Sequence, residues 1–390
     1  MAKKDTIQLE TFQAGRTERG AGYAFFVPEK INKQWIWQDP ILNRLLEKAA
    51  VKLGELNSYA RFVPNIDLFI QLHVTKEAVV SSLIEGTQTS MDEALLPEEE
   101  ILPEKRNDWR EVRNYTMAMR EVITELEKLP ISSRLLRNAH RILLAHVRGE
   151  HKMPGEFRAS QNWIGGTGLA DAAFIPPHYH YVNELMGDLE GFLHNDNIDV
   201  PELIRIGLAH YQFETIHPFL DGNGRIGRLL ITLYLVSEGI LEKPLLYLSV
   251  FFEKNRTLYY DKLTFVRTRN DMAGWLKYFL LGVEDTASKA IETLTQVMAL
   301  KERIDRQVQL ELGRRTQTAL TLLEHLYVNP LIRVEDARSK TELSYKAANN
   351  LIAVLQEKGI LKEITGQSRN RIFAFEPYLE LFRHNTKSNM

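Results

Sequence analysis

The sequence contains no cysteine among its 390 residues. Without cysteine the chain has no disulfide framework, no thiolate nucleophile and no zinc–thiolate site. It also lacks any apolar run long enough to span a bilayer, and its opening segment, MAKKDTIQLETF, has no apolar signal core. We therefore expect a soluble protein with a cytoplasmic location and no membrane partner.

An excess of charge of either sign is missing as well. The 49 Lys and Arg residues against 51 Asp and Glu residues give a net charge of −2, so no bulk attraction to nucleic acid or membrane is expected. The hydrophobic fraction of 44% and the charged fraction of 26% are ordinary for a folded globular protein. A chain of this length is expected to form two or three domains.

Helical patterns dominate the chain and predict a mainly α fold. We divide it into an N-terminal helical region over 1–104, a helical core over 105–300 and a C-terminal domain over 301–390. The N-terminal region contains the patterns ILNRLLEKAAVKLGEL and IDLFIQLHVTKEAVVSSLIEG, the second ending at Gly86. The acidic segment DEALLPEEEILPEKRND that follows is typical of a solvated linker.

Two segments depart from the helical pattern. WIGGTGLADAAFIPP has a glycine pair and a closing Pro-Pro, which predict a β-hairpin or exposed flap. From Arg314 to Phe375 the order of patterns is three helices and a β-hairpin, which indicates a winged helix.

The stretch HPFLDGNGRIGR, from His217 to Arg228, carries the clearest chemistry. Its two glycines allow a tight turn, and the free N–H groups of the helix that follows can bind phosphate. Arg225 and Arg228 lie three residues apart and can each clasp phosphate oxygens. Asp221 beside such phosphates suits Mg²⁺, and His217 can take a proton from an incoming hydroxyl.

Two other loop types do not fit this stretch. An EF-hand needs glycine at its sixth position and glutamate at its twelfth, but the twelfth residue from Asp221 is Thr232. A Walker loop needs a lysine after its glycines, and none follows here at the required spacing.

The stretch resembles the signature of the Fic (Fido) family, His-x-Phe-x-Asp/Glu-Gly-Asn-Gly-Arg-x-x-Arg, at every fixed position. The resemblance implies a helical Fic core that transfers AMP from ATP to a hydroxyl of a protein. It implies His217 as general base, Asp221 as ligand of Mg²⁺, Phe219 as anchor of the loop and Arg228 at the γ-phosphate. The nucleotide-binding set it implies is Glu85, His217, Gly222, Asn223, Gly224, Arg225, Ile226, Gly227, Arg228 and Tyr259.

Three finer expectations follow from the resemblance. The flap, at Ile164, Gly165, Gly166 and Thr167, would align an extended target segment by main-chain pairing. Tyr259, with Tyr260 as second choice, would lie near the adenosine. A kinase-like branch of the family carries lysine at the position of Gly224, so glycine there favours nucleotidyl transfer.

The segment SSLIEG resembles the inhibitory pattern of the family, Ser/Thr-x-x-x-Glu-Gly/Asn, through Ser81, Glu85 and Gly86. Because this pattern precedes the signature, the resemblance implies a class II protein with an N-terminal inhibitory helix. Glu85 would pair with Arg228 and hold ATP in a pose that is not in line with the attacking hydroxyl.

The partners implied are ATP, Mg²⁺, an unidentified target protein with a Ser, Thr or Tyr hydroxyl, and the chain itself, and we expect a homodimer. A second hypothesis is a DNA-binding regulator whose Fic domain senses nucleotide, with Ser344, Tyr345, Lys346 and Asn349 at the recognition helix and Arg369 and Arg371 in the wing. Winged helices also serve as modules for dimerisation or for docking to a partner protein, and we favour protein docking over DNA binding for this one. The third hypothesis is removal of AMP, with Glu85 orienting water.

Overall fold

The computed structural model describes residues 6–20, 22–63 and 65–383, and within them the chain is mainly α-helical, as predicted. The helices are α1 (Pro40–Phe62), α2 (Asp67–Ile84), α3 (Met91–Leu95), α4 (Arg106–Glu125), α5 (Ser133–Leu143), α6 (Val182–Leu193), α7 (Glu202–Ile216), α8 (Asn223–Ser237), α9 (Ser249–Lys254), α10 (Arg256–Arg269), α11 (Met272–Glu311), α12 (Thr316–Val328), α13 (Val334–Thr341), α14 (Tyr345–Glu357) and α15 (Glu376–Arg383). The strands are β1 (Thr6–Gln8), β2 (Gly15–Arg19), β3 (Ala24–Pro28), β4 (Gln34–Ile36), β5 (Leu331–Arg333), β6 (Lys362–Glu363) and β7 (Ile372–Ala374).

Helix α7 is the centre of the core. Every residue from Leu203 to Ile216 is buried, as expected for a helix surrounded by others. It packs against α6, α8 and α11, and α11 also runs along α1. This packing fixes the end of α7 and the start of α8, where the signature loop lies. None of the described helices combines the length and apolarity needed to cross a membrane.

The strands before α1 were not predicted from the sequence. β1 pairs with β4 in parallel, and β2 pairs with β3 as an antiparallel hairpin. These strands have three to five residues, too few for a clear period-2 pattern. The Phe26 N–H of β3 donates to the Ile175 carbonyl at 3.0 Å, so this hairpin lies against the end of the predicted flap.

The acidic segment after α2 is not a solvated linker, and this prediction was wrong. It contains α3 and packs against α2 and α4. Glu98 pairs with Arg110 of α4, while Glu99 and Glu100 pair with Arg333 at the end of β5. These ion pairs join three parts of the chain, while their carboxylates stay partly exposed to water.

The boundary predicted between residues 300 and 301 falls inside α11, which continues unbroken to Glu311. A continuous helix is not a linker, so the break at residues 312–315 is the better end of the core. The division into domains stays a prediction, and its outer ends, residues 1–5 and 384–390, lie outside the described residues.

We call Thr316–Arg383, with helices α12 to α15, the C-terminal module. Its element order is helix, strand, two helices, two strands and a last helix. The strands form one antiparallel sheet in the order β5-β7-β6. This order agrees with the predicted three helices and hairpin and adds β5 and α15, while the winged-helix assignment stays a prediction.

The module packs directly on α2. The ring of Phe69 meets that of Tyr327 edge-on at 5.4 Å and lies 6.4 Å from that of Tyr378. One turn further, the His73 ring is 4.9 Å from that of Phe382. The first half of α2 is thus fastened to the module, and its second half carries the inhibitory pattern.

We expect Phe69→Ala to lower the free energy of unfolding by about 3–5 kcal/mol, because it empties a fully buried ring site between α2 and the module. Denaturant unfolding followed by circular dichroism measures this change. The matched control is Phe62→Ala, whose ring is 84% exposed and whose loss we expect to matter by less than about 0.5 kcal/mol. Equal effects of the two substitutions would contradict the packing described here.

Candidate active site

The signature loop joins the ends of two buried helices. Helix α7 ends at Ile216, and His217 takes a left-handed conformation with φ 51°. The loop closes at Gly222, which has φ 73°, and α8 begins at Asn223. The first N–H groups of α8 have no carbonyl within the helix to bind, so they are available to an anion at the loop.

Phe219 and Asn223 fix the shape of the loop. Phe219 is fully buried, in agreement with the expected anchor role. The Asn223 side chain accepts the Phe219 N–H at 2.8 Å and donates to the Phe219 carbonyl at 2.8 Å. Both ends of the Asn223 amide are therefore used inside the loop, and only its backbone N–H is left for a ligand.

His140 of α5 is a further part of the loop that the sequence analysis missed. Its ring stacks on that of Phe219 at 3.8 Å. Its Nδ1 accepts the Gly155 N–H at 2.9 Å, so its Nε2 carries the proton and donates to the Asp221 carbonyl at 3.0 Å. Burial lowers the pKa of His140 to about 4, which keeps this neutral tautomer in place.

Arg158 and Asn162 were missed too. The Arg158 Nε–H donates to the His217 carbonyl at 2.9 Å, and the Asn162 amide donates to the Phe219 carbonyl at 2.9 Å. Both residues are buried and lie in the segment before the flap. Because that segment has no regular period, its sequence carries no signal that these side chains turn toward the loop.

His217 has the geometry of a general base. Its Nδ1 lies 3.4 Å from the Glu214 carbonyl, which can only accept, so Nδ1 carries the proton and Nε2 keeps a free lone pair. Burial, together with the positive charges of Arg158 and Arg267, lowers the pKa of His217 to about 3. The ring is therefore neutral near pH 7.

Asp221 lies at the open side of the loop, with its side chain 44% exposed. Its carboxylate accepts the Gly222 N–H at 2.5 Å and lies 3.6 Å from the Arg225 guanidinium. Among the described residues no cluster of three or more acidic, histidine or cysteine side chains could hold a metal alone. A single carboxylate fits Mg²⁺ that arrives with phosphate oxygens and water as its other ligands.

Arg225 does not extend toward the open side of the loop. Its side chain is 4% exposed and pairs with Glu111 of α4 at 3.0 Å. The Arg225 guanidinium is therefore not positioned in this structure for the phosphate contact expected from the sequence. The backbone N–H of Arg225, in the first turn of α8, is its group that remains near the loop. The sequence analysis missed Glu111, which lies far from the signature in the chain.

Arg228 joins α8 to the end of α2. Its Nη2 donates to Glu85 Oε1 at 2.7 Å and to the Ser81 carbonyl at 2.8 Å, and its Nε donates to Ser81 Oγ at 2.8 Å. Burial raises the pKa of Glu85, but the charge of Arg228 outweighs it, so the net pKa is lowered and the carboxylate stays ionised. The contact expected between Glu85 and Arg228 is present in the structure.

Gly224 and Gly86 make this contact sterically feasible. A Cβ at Gly224 would lie 2.2 Å from Glu85 Oε1 and 2.9 Å from an Arg228 nitrogen. Gly86 has φ 100° and turns the chain away directly after Glu85. A lysine in place of Gly224 would exclude Glu85 from this position.

The remaining residues predicted to bind nucleotide, Ile226, Gly227 and Tyr259, lie below the surface of the loop. Ile226 is fully buried, and a Cβ at Gly227 would lie 2.3 Å from the Glu214 carboxylate. Tyr259 is only 1% exposed, with its hydroxyl 3.0 Å from His210 Nε2, so its ring has no face open to a base. Tyr260, the second choice, is 40% exposed and is the better candidate of the pair.

The flap is shorter than a regular hairpin. Only Ile164 and Phe174 pair across it, through reciprocal backbone hydrogen bonds at 2.9 and 3.1 Å. Gly165 and Gly166 have positive φ, and they and Thr167 are exposed. The Arg267 guanidinium lies 3.8 Å over the Phe174 ring and so links the base of the flap to the surroundings of His217.

Two successive parts of the chain match known protein families. Residues 43–124 match the Fic/DOC family N-terminal domain, and residues 130–235 match the Fic/DOC family domain. Relatives from Drosophila erecta and Drosophila melanogaster, each named Protein adenylyltransferase Fic, are 29% identical over 209 residues. That stretch covers 53% of the chain and only 38% of each relative, so the chain spans about two fifths of their length.

Solved structures share the fold. A Fic family protein from Desulfovibrio desulfuricans G20 has a TM-score of 0.53 at 20% identity, covering 87% of this chain and 96% of that one. Fic-1 from C. elegans also has a TM-score of 0.53 at 20% identity, covering 66% of this chain and 75% of that one. At such identities the likeness concerns the helical fold alone.

We expect the His217 ring to stay neutral down to about pH 5, because its pKa is lowered to about 3 and the neutral form prevails above that value. Nitrogen NMR of ring-labelled protein measures its protonation, with His217→Ala assigning the signal. In denaturant the same ring should titrate near about pH 6.5. Protonation of the folded ring above about pH 6 would contradict the site described here.

Proposed function

Because the chain belongs to the Fic/DOC family, we propose that it is a protein adenylyltransferase that transfers AMP from ATP to a Ser, Thr or Tyr hydroxyl. The observation that carries the proposal is a neutral histidine with a free Nε2, held in the loop that leads into a helix N-terminus suited to phosphate. The targets are an unidentified protein and the chain itself.

In the proposed reaction His217 acts on the target. Its Nε2 takes the hydroxyl proton while the hydroxyl oxygen forms a bond to the α-phosphorus of ATP. The bond from that phosphorus to the bridging oxygen breaks, and diphosphate leaves. The Arg158 bond to the His217 carbonyl, and the left-handed turn at His217, hold the ring where it meets the hydroxyl.

The phosphates would bind the first turn of α8, through the backbone N–H groups of Asn223, Gly224 and Arg225. Mg²⁺ would neutralise phosphate charge and align the α-phosphate with the attacking oxygen. Asp221 would hold it, because this carboxylate is exposed at the loop and is oriented by the Gly222 N–H. Tyr260 would line the adenosine side.

The target segment would pair with the exposed edge of the flap. Ile164 has one backbone partner, Phe174, and Gly165 and Gly166 are open to solvent. The exposed Thr167 already donates its N–H to the Asp171 carboxylate at 2.9 Å. An extended segment can add to such an edge through main-chain hydrogen bonds, without a fixed side-chain sequence. The flap would therefore select the target hydroxyl by its position along the paired segment, and not by the side chains next to it.

The pair formed by Glu85 and Arg228 would inhibit the enzyme. Arg228 donates three hydrogen bonds, from Nε and Nη2, to Ser81 and Glu85. A γ-phosphate would therefore have to displace Glu85 to reach these nitrogens. With Glu85 in place, ATP would bind with its α-phosphate out of line. Since Glu85 and Arg228 belong to one chain, the inhibition would be intramolecular.

The other hypotheses stay predictions from the sequence. Removal of AMP would use Glu85 to orient water in the same site. DNA binding has support from the exposure of Tyr345, 58% exposed, at the start of α14, although Arg371 is hydrogen-bonded to Asn349. The homodimer and the cytoplasmic location also stay predictions.

The first test uses ATP labelled at the α-phosphate, with magnesium and cell-extract proteins. We expect Glu85→Gly to raise the labelling rate by about tenfold or more, as when a competent state held below about 10% becomes dominant. Adding His217→Ala to Glu85→Gly should abolish the labelling, because the base is gone.

Glu238→Gly is the matched control. Like Glu85, Glu238 caps the end of a helix, precedes a glycine of positive φ and is exposed, but within the described part of the chain it has no arginine partner. This variant should label like the unmodified protein. Absence of labelling with Glu85→Gly, or undiminished labelling in the double variant, would contradict the proposal.

The magnesium role is tested in the Glu85→Gly background. Asp221→Asn should lower transfer by more than about tenfold, because an amide oxygen is a weaker magnesium ligand than a carboxylate. Higher magnesium should restore part of the rate, which is measured by the same labelling. Asp196→Asn, a change of an exposed aspartate, is the control. An unchanged rate with Asp221→Asn would remove Asp221 from the proposed site.

A further inference from the structure

A second cleft, lined by no residue of the signature loop, lies between α2, α4 and the C-terminal module. Its volume is about 550 Å³, within the range of small-molecule sites, about 300–1,000 Å³. Gln71 and Thr75 of α2 line one wall, Trp109 of α4 lines another, and His325 of the module lines a third. The three parts of the chain thus meet around one cavity.

Two of the cations that line the cleft lack acidic partners in the part of the chain that the structure describes. Arg113 and Arg120 of α4 both line it, and within the described residues neither forms an ion pair or a side-chain hydrogen bond. The acids nearby are already in use, since Glu98 is bound to Arg110, and Glu99 and Glu100 are bound to Arg333. Asp336 also lines the cleft, and Arg113 and Arg120 carry the positive charge there that no ion pair within the described residues neutralises.

The positive charges of Arg113 and Arg120 also repel each other. They are seven residues apart, two helical turns, so they lie on one face of α4 about 10 Å apart along its axis. Burial and then the charge of Arg113 lower the pKa of Arg120, as expected when two cations share a cleft. A ligand with two or more anionic groups could reach both and relieve the repulsion.

Two buried polar atoms in the same lining have no hydrogen-bond partner among the residues that the structure describes. They are Gln71 Oε1 and Arg333 Nε. A buried polar atom without a hydrogen bond is costly, so each indicates a partner of the complementary kind. Arg333 Nε–H calls for an anion or another acceptor, and Gln71 Oε1 calls for a donor such as a hydroxyl.

Trp109 supplies an ordered wall for such a ligand. It is buried, its indole N–H donates to the Leu96 carbonyl at 3.2 Å, and the Arg113 guanidinium lies 5.1 Å over its ring. The stacking holds the planar face of Arg113 in a fixed direction, which lowers the entropy cost of binding an anion.

We propose that this cleft is a binding site for a small hydroxylated polyanion, held by Arg113, Arg120 and Arg333 with Gln71 accepting from its hydroxyl. Such a ligand touches both α2 and the module, so its binding fastens one to the other. The site does not depend on the proposed transferase activity, and its failure would leave that activity untouched.

Citrate is a suitable probe, because it has three carboxylates and one hydroxyl. Calorimetric titration of the full chain, in buffer without magnesium, should show saturable binding of one citrate. Arg113→Ala with Arg120→Ala should weaken it by about tenfold or more, because charge-assisted bonds are lost. Arg44→Ala, a change of an exposed arginine on α1, should bind citrate like the unmodified protein.

Tricarballylate, which is citrate without the hydroxyl, tests Gln71. It should bind more weakly than citrate to the unmodified chain, and Gln71→Ala should remove that difference. Thermal unfolding of each variant without ligand separates a lost site from a lost fold. No saturable citrate binding up to about 10 mM, or equal binding by the double arginine variant, would overturn the proposal.

Amide hydrogen exchange distinguishes binding in the cleft from binding of citrate to the protein surface, which would not change exchange in buried helices. Bound citrate should slow amide exchange in α2 and in α12, which the ligand would join. Slower exchange confined to α4 would overturn the proposed link between α2 and the module.

Discussion

The buried guanidinium of Arg228 is the charge on which the site depends. Its side chain is 2% exposed, so it cannot rely on water and needs an anionic partner. Removing one member of a buried pair costs about 3–5 kcal/mol, so Glu85 is held until another anion takes its place. A γ-phosphate is such an anion. In the inhibited state Glu85 would neutralise the Arg228 guanidinium, and in the active state the γ-phosphate would do so.

The signature residues divide into those that make the loop and those that face a ligand. Phe219 and Asn223 fix the shape of the loop, Phe219 through its buried ring and Asn223 through two hydrogen bonds to the backbone. His217 and Asp221 reach the open side. Since the shape residues alternate with the chemical ones along the loop, a substitution at Phe219 or Asn223 would displace groups that it never touches.

Much of this arrangement could be predicted from the sequence, because the signature is local. The ends of α7 and α8 and the position of the loop follow from glycines and helical periods at fixed spacing. His140, Arg158 and Glu111 could not be found this way, because they reach the loop from distant segments. Tyr259 is buried and Tyr260 is exposed, and a sequence does not show which of two neighbouring tyrosines is buried.

Helix α2 connects the two halves of the molecule as a rigid element. Phe69 near its start packs on the module, and Glu85 at its end holds Arg228, sixteen residues or about 24 Å away. The helix is buried along most of this length, so it cannot bend locally without losing packing. A shift of the module at Phe69 would therefore move Glu85 as well. Under the proposed inhibition, a ligand bound at the junction of the module with α2 would act on the pairing of Arg228 from outside the active site.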